Sequence, residues 1–399
     1  MSGLGILGVV TTSMVGLGLA ESVLHRRRLK SIPTRIHISG TRGKSSVTRL
    51  LAAAMRHAGI ATAAKTTGTL PRLILPDGRE VPVFRPSGAN IIEQTRIVAA
   101  AADMQAKALI VECMALRPEL HWISENKLIR ATHGVITNAR ADHLDVMGPT
   151  EVDVAKALAG MIPVNGVLFT AEQRHLDILR QAAQDRNTTC IAVSPKAIDA
   201  ITENDLNGFS YKEHAENVAL VLMILEHFNI PRQVAMEGMW QALPDPGALT
   251  EYEMDFFGRK IFFVNGFAAN DPESTARIWN MMQEKYHDVD TTVAVFNMRA
   301  DRPSRTVQLA RETDFWHSAD KVILIGSGAY LFSRMAAKTS CDDTKLIYAD
   351  YNRVEEIFES ILEQCSGRTL VVGMGNIGEQ GLELNRYFKN RSIQRQHND

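Results

Sequence analysis

The chain has 399 residues, of which 45% are hydrophobic and 22% charged, with a formal net charge of −1. This length suits two domains, and the composition is that of a soluble globular protein with full hydrophobic cores. The near-neutral charge gives no electrostatic footprint for nucleic acid, so we exclude nucleic acid as a partner. Four widely spaced cysteines match neither a metal motif nor a disulfide framework and are expected to be reduced thiols in the cytosol: Cys113, Cys190, Cys341 and Cys365.

The first 30 residues are predicted to form a hydrophobic helix with a basic flank. The first 20 contain no charged side chain, and His25-Arg26-Arg27-Arg28 and Lys30 follow. About 20 apolar residues suffice to cross a bilayer, and a cleavable signal peptide would carry its charge before the apolar run. We therefore expect an anchor at the cell membrane, with the rest of the chain on the cytoplasmic face. The alternative is a helix packed on a partner or on the protein, because threonine, serine and five glycines dilute the hydrophobicity.

Strands and helices are predicted to alternate through the remainder of the chain. Ile36–Ser39 has the pattern of a short buried strand, and residues 45–58 have helical spacing of apolar positions. This alternation favours a parallel sheet with helices on both faces. Further strands are predicted at 108–111, 134–137 and 166–169, and helices at 91–104 and 215–228.

A turn-rich break, Leu243-Pro244-Asp245-Pro246-Gly247, separates this region from a second one with the same alternation. We predict a hydrophobic anchor helix at 1–30, a central α/β domain at 31–244, a Rossmann-like α/β domain at 245–390 and a frayed tail at 391–399. The strands predicted in the second region are 260–264, 292–296, 321–325, 345–348 and 369–372.

The segment Ser39-Gly40-Thr41-Arg42-Gly43-Lys44-Ser45-Ser46 lies between a predicted strand and a predicted helix, as a phosphate-binding loop requires. Backbone N–H groups and the helix dipole would attract the phosphates of ATP. Lys44 would reach the β- and γ-phosphates, and the Ser45 hydroxyl would bind Mg²⁺. The usual motif has a glycine where this chain has Ile38, so the sequence predicts a shorter loop that begins at Gly40.

Two further polar positions follow predicted strands. Glu112 ends the strand 108–111, where a carboxylate can hold Mg²⁺, although it could simply be solvated. Two carboxylates, Asp142 and Asp145, flank His143 after another strand, which is typical of a metal or phosphate site. A polar loop with a helix cap is the alternative interpretation of that second segment.

In this order, the phosphate-binding loop, the strand-end Glu112 and the segment around His143 resemble the motifs of the Mur ligase superfamily. Five segments are most similar to the ligase subunits of bacterial poly-γ-glutamate synthase, the CapB/PgsB family. They are ISGTRGKSSVTRL, KTTGTLPR, SGANIIEQ, VECMALRPE and ADHLDVMGPT. The resemblance is close over residues 36–167 and looser beyond. It implies an α/β fold class: a P-loop Mur-ligase-type central domain, a smaller Rossmann-like α/β domain and an N-terminal hydrophobic helix. It also implies an ATP-dependent amide ligase that forms γ-glutamyl bonds through an acyl phosphate.

The resemblance assigns roles to individual residues. Gly40 to Ser46 would bind ATP, with Lys44 stabilising the transferred phosphoryl group. Ser45 and Glu112 would hold one Mg²⁺, and His143 would help to hold a second. In the C-terminal region, Asn270 and Asp271 would contact the nucleotide and Arg302 its phosphates. The alternatives are a helix N-cap before Pro272 for the first two and a surface salt bridge for Arg302.

One departure from the family pattern concerns the second metal. Many members have a carbamoylated lysine fifteen residues after the motif histidine, where this chain has Leu158. Lys156 lies about 200° away around a helix, so we predict no carbamoyl-lysine here. Three arginines after predicted strands are candidate contacts for acidic substrates: Arg72, Arg85 and Arg117.

The partners implied are glutamate, the growing poly-γ-glutamate chain and membrane proteins of a synthase complex, and a homo-oligomer is compatible with the sequence. One rival is another superfamily ligase, of the folylpolyglutamate or cyanophycin type. The hydrophobic N-terminus disfavours folate tailing, and the lack of a domain for a UDP-linked precursor disfavours a peptidoglycan enzyme. A membrane-tethered P-loop ATPase explains the loop and the anchor but not Asn270 and Arg302.

Overall fold

The strand β1 (Thr34–Ser39) lies in the middle of the larger of two sheets, each in its own compact unit. The units of this computed structural model comprise residues 1–245 and 246–399. The structure describes residues 3–68, 70–85, 88–245, 249–269, 272–311, 316–339, 343–349 and 353–392, without the side chains of residues 3–5 and 145.

The sheet of the first unit has eight strands in the order β4-β3-β2-β5-β1-β6-β7-β8. Six of them are parallel, whereas β3 and β4 pair antiparallel, so the expectation of an all-parallel sheet is wrong at this edge. Between β3 and β4 the reason is the Asp77-Gly78 turn, whose glycine has φ of 87° and reverses the chain within a few residues. The chain also reverses between β2 and β3, which pair antiparallel. The bounds are β2 (Thr62–Lys65), β3 (Arg72–Ile74), β4 (Glu80–Pro82), β5 (Ala108–Glu112), β6 (His133–Ile136), β7 (Val167–Thr170) and β8 (Thr189–Ala192).

The first helix, α1 (Gly3–Ser31), differs from the others in its exposure. Its segment Ile6–Ser31 has a mean hydropathy of 1.6 in the most apolar window, which is 0% buried. Within the described part of the chain it is the one helix long and apolar enough to cross a bilayer. The remaining helices of this unit are α2 (Lys44–His57), α3 (Glu93–Asp103), α4 (Pro118–Ile123), α5 (Leu144–Met147), α6 (Glu151–Ala159), α7 (Leu176–Gln184), α8 (Pro195–Asp199), α9 (Glu203–Asn207), α10 (Ala215–His227) and α11 (Arg232–Trp240).

The second unit contains a six-stranded sheet in the order β13-β12-β11-β14-β10-β9. Only β9 is antiparallel, because Phe257 and Gly258 form a two-residue hairpin turn with φ of 48° and 77°. The strands are β9 (Thr250–Phe256), β10 (Arg259–Asn265), β11 (Thr291–Asn297), β12 (Lys321–Ile325), β13 (Leu346–Tyr348) and β14 (Arg368–Gly375). The helices are α12 (Pro272–Lys285), α13 (Pro303–Arg311), α14 (Ala329–Ala336), α15 (Val354–Glu363) and α16 (Gln380–Arg391). Of the predicted tail, residues 393–399 lie outside the described residues.

Both faces of the second sheet are covered by apolar side chains. Phe262 and Val264 of β10 pack into one buried cluster with Trp279. Phe263 packs into the opposite cluster, where its ring stacks on Phe388 with centroids 3.9 Å apart. Successive residues of a strand point to opposite faces, so a continuous apolar run is what a doubly covered strand requires.

We predict that Phe263→Ala destabilises the second unit by about 3–5 kcal/mol, since a fully buried ring is replaced by a cavity. Phe257→Ala is the matched control, because Phe257 is 92% exposed in the adjoining turn. Urea unfolding of both variants checks this prediction. Equal midpoints for Phe263→Ala and the wild type would show that the stacked pair contributes little.

Candidate functional site

The phosphate-binding loop joins β1 to α2 at the carboxyl edge of the first sheet. Gly40 and Gly43 have φ of 130° and 84°, a region that favours glycine. Gly43 is the residue before α2, and no side chain caps that helix. The first N–H groups of a helix have no partner within it, so the start of α2 presents uncapped donors and a positive dipole end. This is the arrangement that binds a phosphate group.

The segment after β6 fixes the conformation of this loop. The Thr41 hydroxyl and the Arg42 N–H both donate to Asn138 Oδ1, at 2.7 and 3.0 Å. The Thr137 hydroxyl donates to the Arg42 carbonyl at 2.6 Å. A Cβ atom on Gly40 would lie 2.0 Å from the Thr137 hydroxyl oxygen, so only glycine fits there. The loop is therefore shaped by side chains almost a hundred residues away.

Lys44 places its ammonium group over the loop backbone. Its Nζ donates to the carbonyl oxygens of Gly40 at 2.7 Å and Thr41 at 3.2 Å. The positive charge of Lys44 is therefore held beside the uncapped start of α2. An anionic group bound there would contact both the ammonium group and the N-terminus of the helix.

The Glu112 carboxylate joins the loop to the ends of two neighbouring strands. Glu112 is 2% exposed, and its Oε2 accepts hydrogen bonds from the Ser45 hydroxyl at 2.9 Å and the Thr67 N–H at 2.8 Å. Its Oε1 accepts a bond from the Thr67 hydroxyl at 2.6 Å. Hydroxyl and carboxylate oxygens are the ligands that Mg²⁺ prefers, so the chemistry of Ser45 and Glu112 fits a magnesium ion.

A buried ion cluster lies beside Glu112, at the end of β2. Lys65 is fully buried, and its Nζ lies 2.6 Å from Glu93 Oε1. Arg85 donates two further hydrogen bonds to Glu93, at 2.6 and 2.7 Å. Burial lowers the pKa of Lys65. Burial alone would raise the pKa of Glu93, but the hydrogen bonds from Arg85 and the charge of Lys65 outweigh it, so the pKa of Glu93 is lowered. The cluster ties the start of α3 and the segment after β4 to the sheet edge.

The predicted histidine segment forms a turn before α5. His143 has φ of 48°, and its Nε2 lies 3.8 Å from Asp142 Oδ1. The side chain of Asp145 is outside the described residues. Leu158 is fully buried in the cluster formed by α6, α7 and the end of β6, whereas Lys156 is exposed.

The other predicted contacts are scattered through the chain. Arg72 comes after β2 and the loop that follows it, but it is itself the first residue of β3, in a short hairpin that was not predicted. Arg85 follows β4 but is already bound to Glu93, and Arg117 is exposed just before α4. Arg302 is exposed at the start of α13, in the second unit. Asn270 and Asp271 lie outside the described residues.

Comparison with known proteins identifies the family. A model of the Mur ligase middle domain matches residues 38–241, and one of the poly-gamma-glutamate synthase CapB C-terminal domain matches residues 251–391. The chain is 38% identical over 374 residues to the capsule biosynthesis protein CapB of Bacillus anthracis, covering 93% of this chain and 80% of that protein. It is 34% identical over 374 residues to PGA synthase CapB of Bacillus subtilis strain 168, covering 93% and 94%. The chain belongs to the Mur ligase family.

Within the Mur ligases it falls in the CapB group, as the sequence resemblance predicted, and it is an ATP-dependent ligase. A solved structure, described as a bifunctional folylpolyglutamate synthase/dihydrofolate synthase with Mn, AMPPNP and L-glutamate bound, is similar in fold. Its TM-score is 0.63 at 15% identity, covering 92% of each chain. The predicted fold class of this Mur ligase is therefore confirmed.

Sequence reasoning did not single out Thr67, Lys65 or Glu93 as parts of the site. Thr67 and Lys65 lie in the KTTGTLPR segment, but this local sequence does not indicate which distant side chains they contact. Thr67 lies 45 residues before Glu112, and their contact follows from the pairing of β2 with β5. A threonine directly after a strand that neighbours a carboxylate-bearing strand is the signal that could have found it.

We predict that Thr67→Val raises the Mg²⁺ concentration for half-maximal ADP release by about tenfold. The reason is that Glu112 loses a hydrogen bond of the kind made to charged groups, which contributes about 1.5 kcal/mol. Thr62→Val is the control, because Thr62 is a buried threonine at the start of β2 whose hydroxyl donates to the nearby Ile60 carbonyl. An unchanged Mg²⁺ requirement in Thr67→Val would contradict a positioning role for this threonine.

Proposed function

We propose that this chain joins glutamate units through γ-glutamyl bonds and so elongates poly-γ-glutamate. The observation that carries the proposal is the loop from Gly40 to Ser46, braced by Glu112 on one side and by Asn138 on the other. Its relatives across 93% of the chain include one called a PGA synthase. The substrates would be ATP, glutamate and the growing polymer.

In this mechanism the loop and Lys44 hold the β- and γ-phosphates of ATP. The γ-carboxylate of one glutamate attacks the γ-phosphorus, the bond to the β-phosphate oxygen breaks, and an acyl phosphate and ADP form. The amine of the second glutamate then attacks the acyl carbon, phosphate leaves and the amine loses a proton. The protein needs to supply alignment and positive charge, and little covalent chemistry.

Ser45 and Glu112 would hold one Mg²⁺, and His143 would help to hold a second. A bound Mg²⁺ would neutralise charge that develops on the phosphate oxygens. The short hydrogen bonds from Thr67 keep the Glu112 carboxylate in one orientation, so one ligand is positioned in advance. His143 has a left-handed backbone conformation in the turn that follows the segment bracing the loop.

As the family resemblance implies, Asn270 and Asp271 would contact the nucleotide. Arg302 would stabilise the negative charge of the transferred phosphoryl group. Of the three arginines predicted to contact acidic substrates, Arg72 and Arg117 remain the better candidates. The guanidinium of Arg85 is already used by Glu93, which lowers its value as a substrate contact.

The chain would act at the cytoplasmic face of the cell membrane, anchored by α1. The length and hydropathy of this helix, together with the basic residues that follow it, support that location. A polymer made there would pass to membrane proteins of a synthase complex. Assembly with further copies of the same chain is compatible with this arrangement.

The decisive experiment incubates the full-length chain with ATP, Mg²⁺ and glutamate and measures ADP release and product mass. We expect ADP release that depends on glutamate, with products lengthened by glutamate units. Lys44→Ala should reduce turnover by at least about 100-fold while leaving the fold intact, since it removes the charge beside the phosphates. Lys196→Ala, at an exposed position on α8, should have no effect.

ATP turnover that ignores glutamate would contradict the proposal and favour a membrane-tethered ATPase. In parallel incubations that also contain a folate or arginine, glutamate joined only to the folate would favour the folylpolyglutamate type, and incorporation of arginine would favour the cyanophycin type. Polymer synthesis retained by Lys44→Ala would show that the loop assignment is wrong.

A further inference from the structure

Helix α1 continues into the first unit without a linker. Its last turns pack on the domain: Leu29 and Ile32 are buried in a cluster with Ile97 and Val98 of α3. From Leu24 back towards the N-terminus, the described side chains are exposed. Residues 3–24 would extend about 33 Å as a helix, close to the thickness of the hydrocarbon core. A membrane-spanning α1 would therefore bring the domain directly to the lipid headgroups.

Side-chain hydrogen bonds attach the end of α1 to the domain. Arg35, in β1, donates to the carbonyl oxygens of Leu29 and Ile32 at 3.1 and 2.7 Å, and so satisfies the end of α1. The same guanidinium donates to the Arg130 carbonyl at 3.0 and 2.9 Å. His25 Nε2 lies 2.8 Å from the Leu128 carbonyl oxygen. These bonds attach α1 to the π-helical turn Ser124–Ile129, which continues α4.

This junction gathers cations from two distant segments. Arg26, Arg27 and Lys30 of α1 are exposed, and so are Lys127 and Arg130 at the π-helical turn. We call these five residues the basic collar. The carboxylate of Glu125, in the same turn, does not oppose them, because it is buried and hydrogen-bonded to His37 and to the Ala131 N–H. The exposed acids on α1 and α4 are Glu21 and Glu119.

An exposed aromatic ring accompanies the collar. Trp122 of α4 is 45% exposed, and Lys127 Nζ lies 5.4 Å from its ring centroid. Tryptophan next to lysine and arginine is typical of surfaces at the level of lipid headgroups. The sequence-based expectation included only the cations that directly follow the apolar run; the fold adds Lys127 and Arg130.

We propose that the basic collar binds anionic phospholipid headgroups and thereby fixes the orientation of the first unit on the membrane. This inference rests on the membrane anchoring proposed above. Clusters of Lys and Arg beside a membrane helix are attracted to the negative surface of the cytoplasmic leaflet. The collar lies at the amino end of β1 and the phosphate-binding loop at its carboxyl end, about 20 Å away by strand rise. Lipid contact therefore leaves the loop open to ATP.

The test places the full-length chain in nanodiscs of phosphatidylcholine, with or without phosphatidylglycerol. A soluble amine-acylating reagent is applied, and modification of individual lysines is measured by mass spectrometry. We expect Lys30 and Lys127 to be modified several-fold more slowly in the anionic discs than in the neutral ones. Lys196, exposed on α8, is the internal control and should react equally in both. Raising the salt to about 0.5 M should abolish the difference, because it screens exposed charges.

A charge-reversing variant separates the collar from the anchor. Arg130→Glu should weaken the protection of Lys127 while the chain still incorporates into the discs. The control is Arg180→Glu, because Arg180 is exposed on α7; this variant should leave the protection of Lys127 unchanged. Equal modification of Lys127 in both lipids would overturn the proposal and leave the collar to a protein partner. A chain that incorporates into neither kind of disc would overturn the anchoring proposal itself. A chain that incorporates into the discs but whose Lys127 is not protected by anionic lipid would overturn the lipid contact of the basic collar and leave the anchoring proposal standing.

Discussion

The hydrogen bonds to Glu112 are the constraint on which the rest of the site depends. One buried carboxylate receives the hydroxyl of Ser45 from the start of α2 and two donors of Thr67 from the end of β2. A buried charge is costly unless such partners surround it, so the ends of β2 and β5 and the start of α2 are held at fixed separations. The loop is braced on its other side by Asn138, after β6. The start of α2 and the ends of β2, β5 and β6 therefore fix the phosphate-binding loop in place.

The same logic explains the cluster of Lys65, Glu93 and Arg85. Removing one member of a buried charge pair would leave the other uncompensated, which costs about 3–5 kcal/mol in comparable cases. Here Glu93 has two cationic partners, and the arrangement joins the start of α3 to the strand that positions Thr67. Because α3 also packs on the end of α1, the helix proposed to anchor the chain and the elements that support Glu112 are connected through α3.

Local pattern predicted much of this molecule. The strand, glycine loop and helix around Gly40–Ser46 could be predicted because they are contiguous, and β12 occupies its predicted range, Lys321–Ile325. What could not be predicted depends on strand order and tertiary contact. Examples are the contact of Thr67 with Glu112 and the approach of Lys127 and Arg130 to α1. Each of these joins segments that are far apart in the sequence, with no local pattern to indicate their proximity. The antiparallel β3–β4 hairpin is different: its Asp77-Gly78 turn is a local signal that was overlooked.

Phosphorylation of a glutamate γ-carboxylate at this loop is tested most directly with glutamate labelled with oxygen-18 in its γ-carboxylate. During the reaction with ATP and the full-length chain, we expect one labelled oxygen per bond formed to be transferred to the released phosphate. Phosphate that contains no label, although polymer forms, would contradict an acyl phosphate and with it the role assigned to the loop.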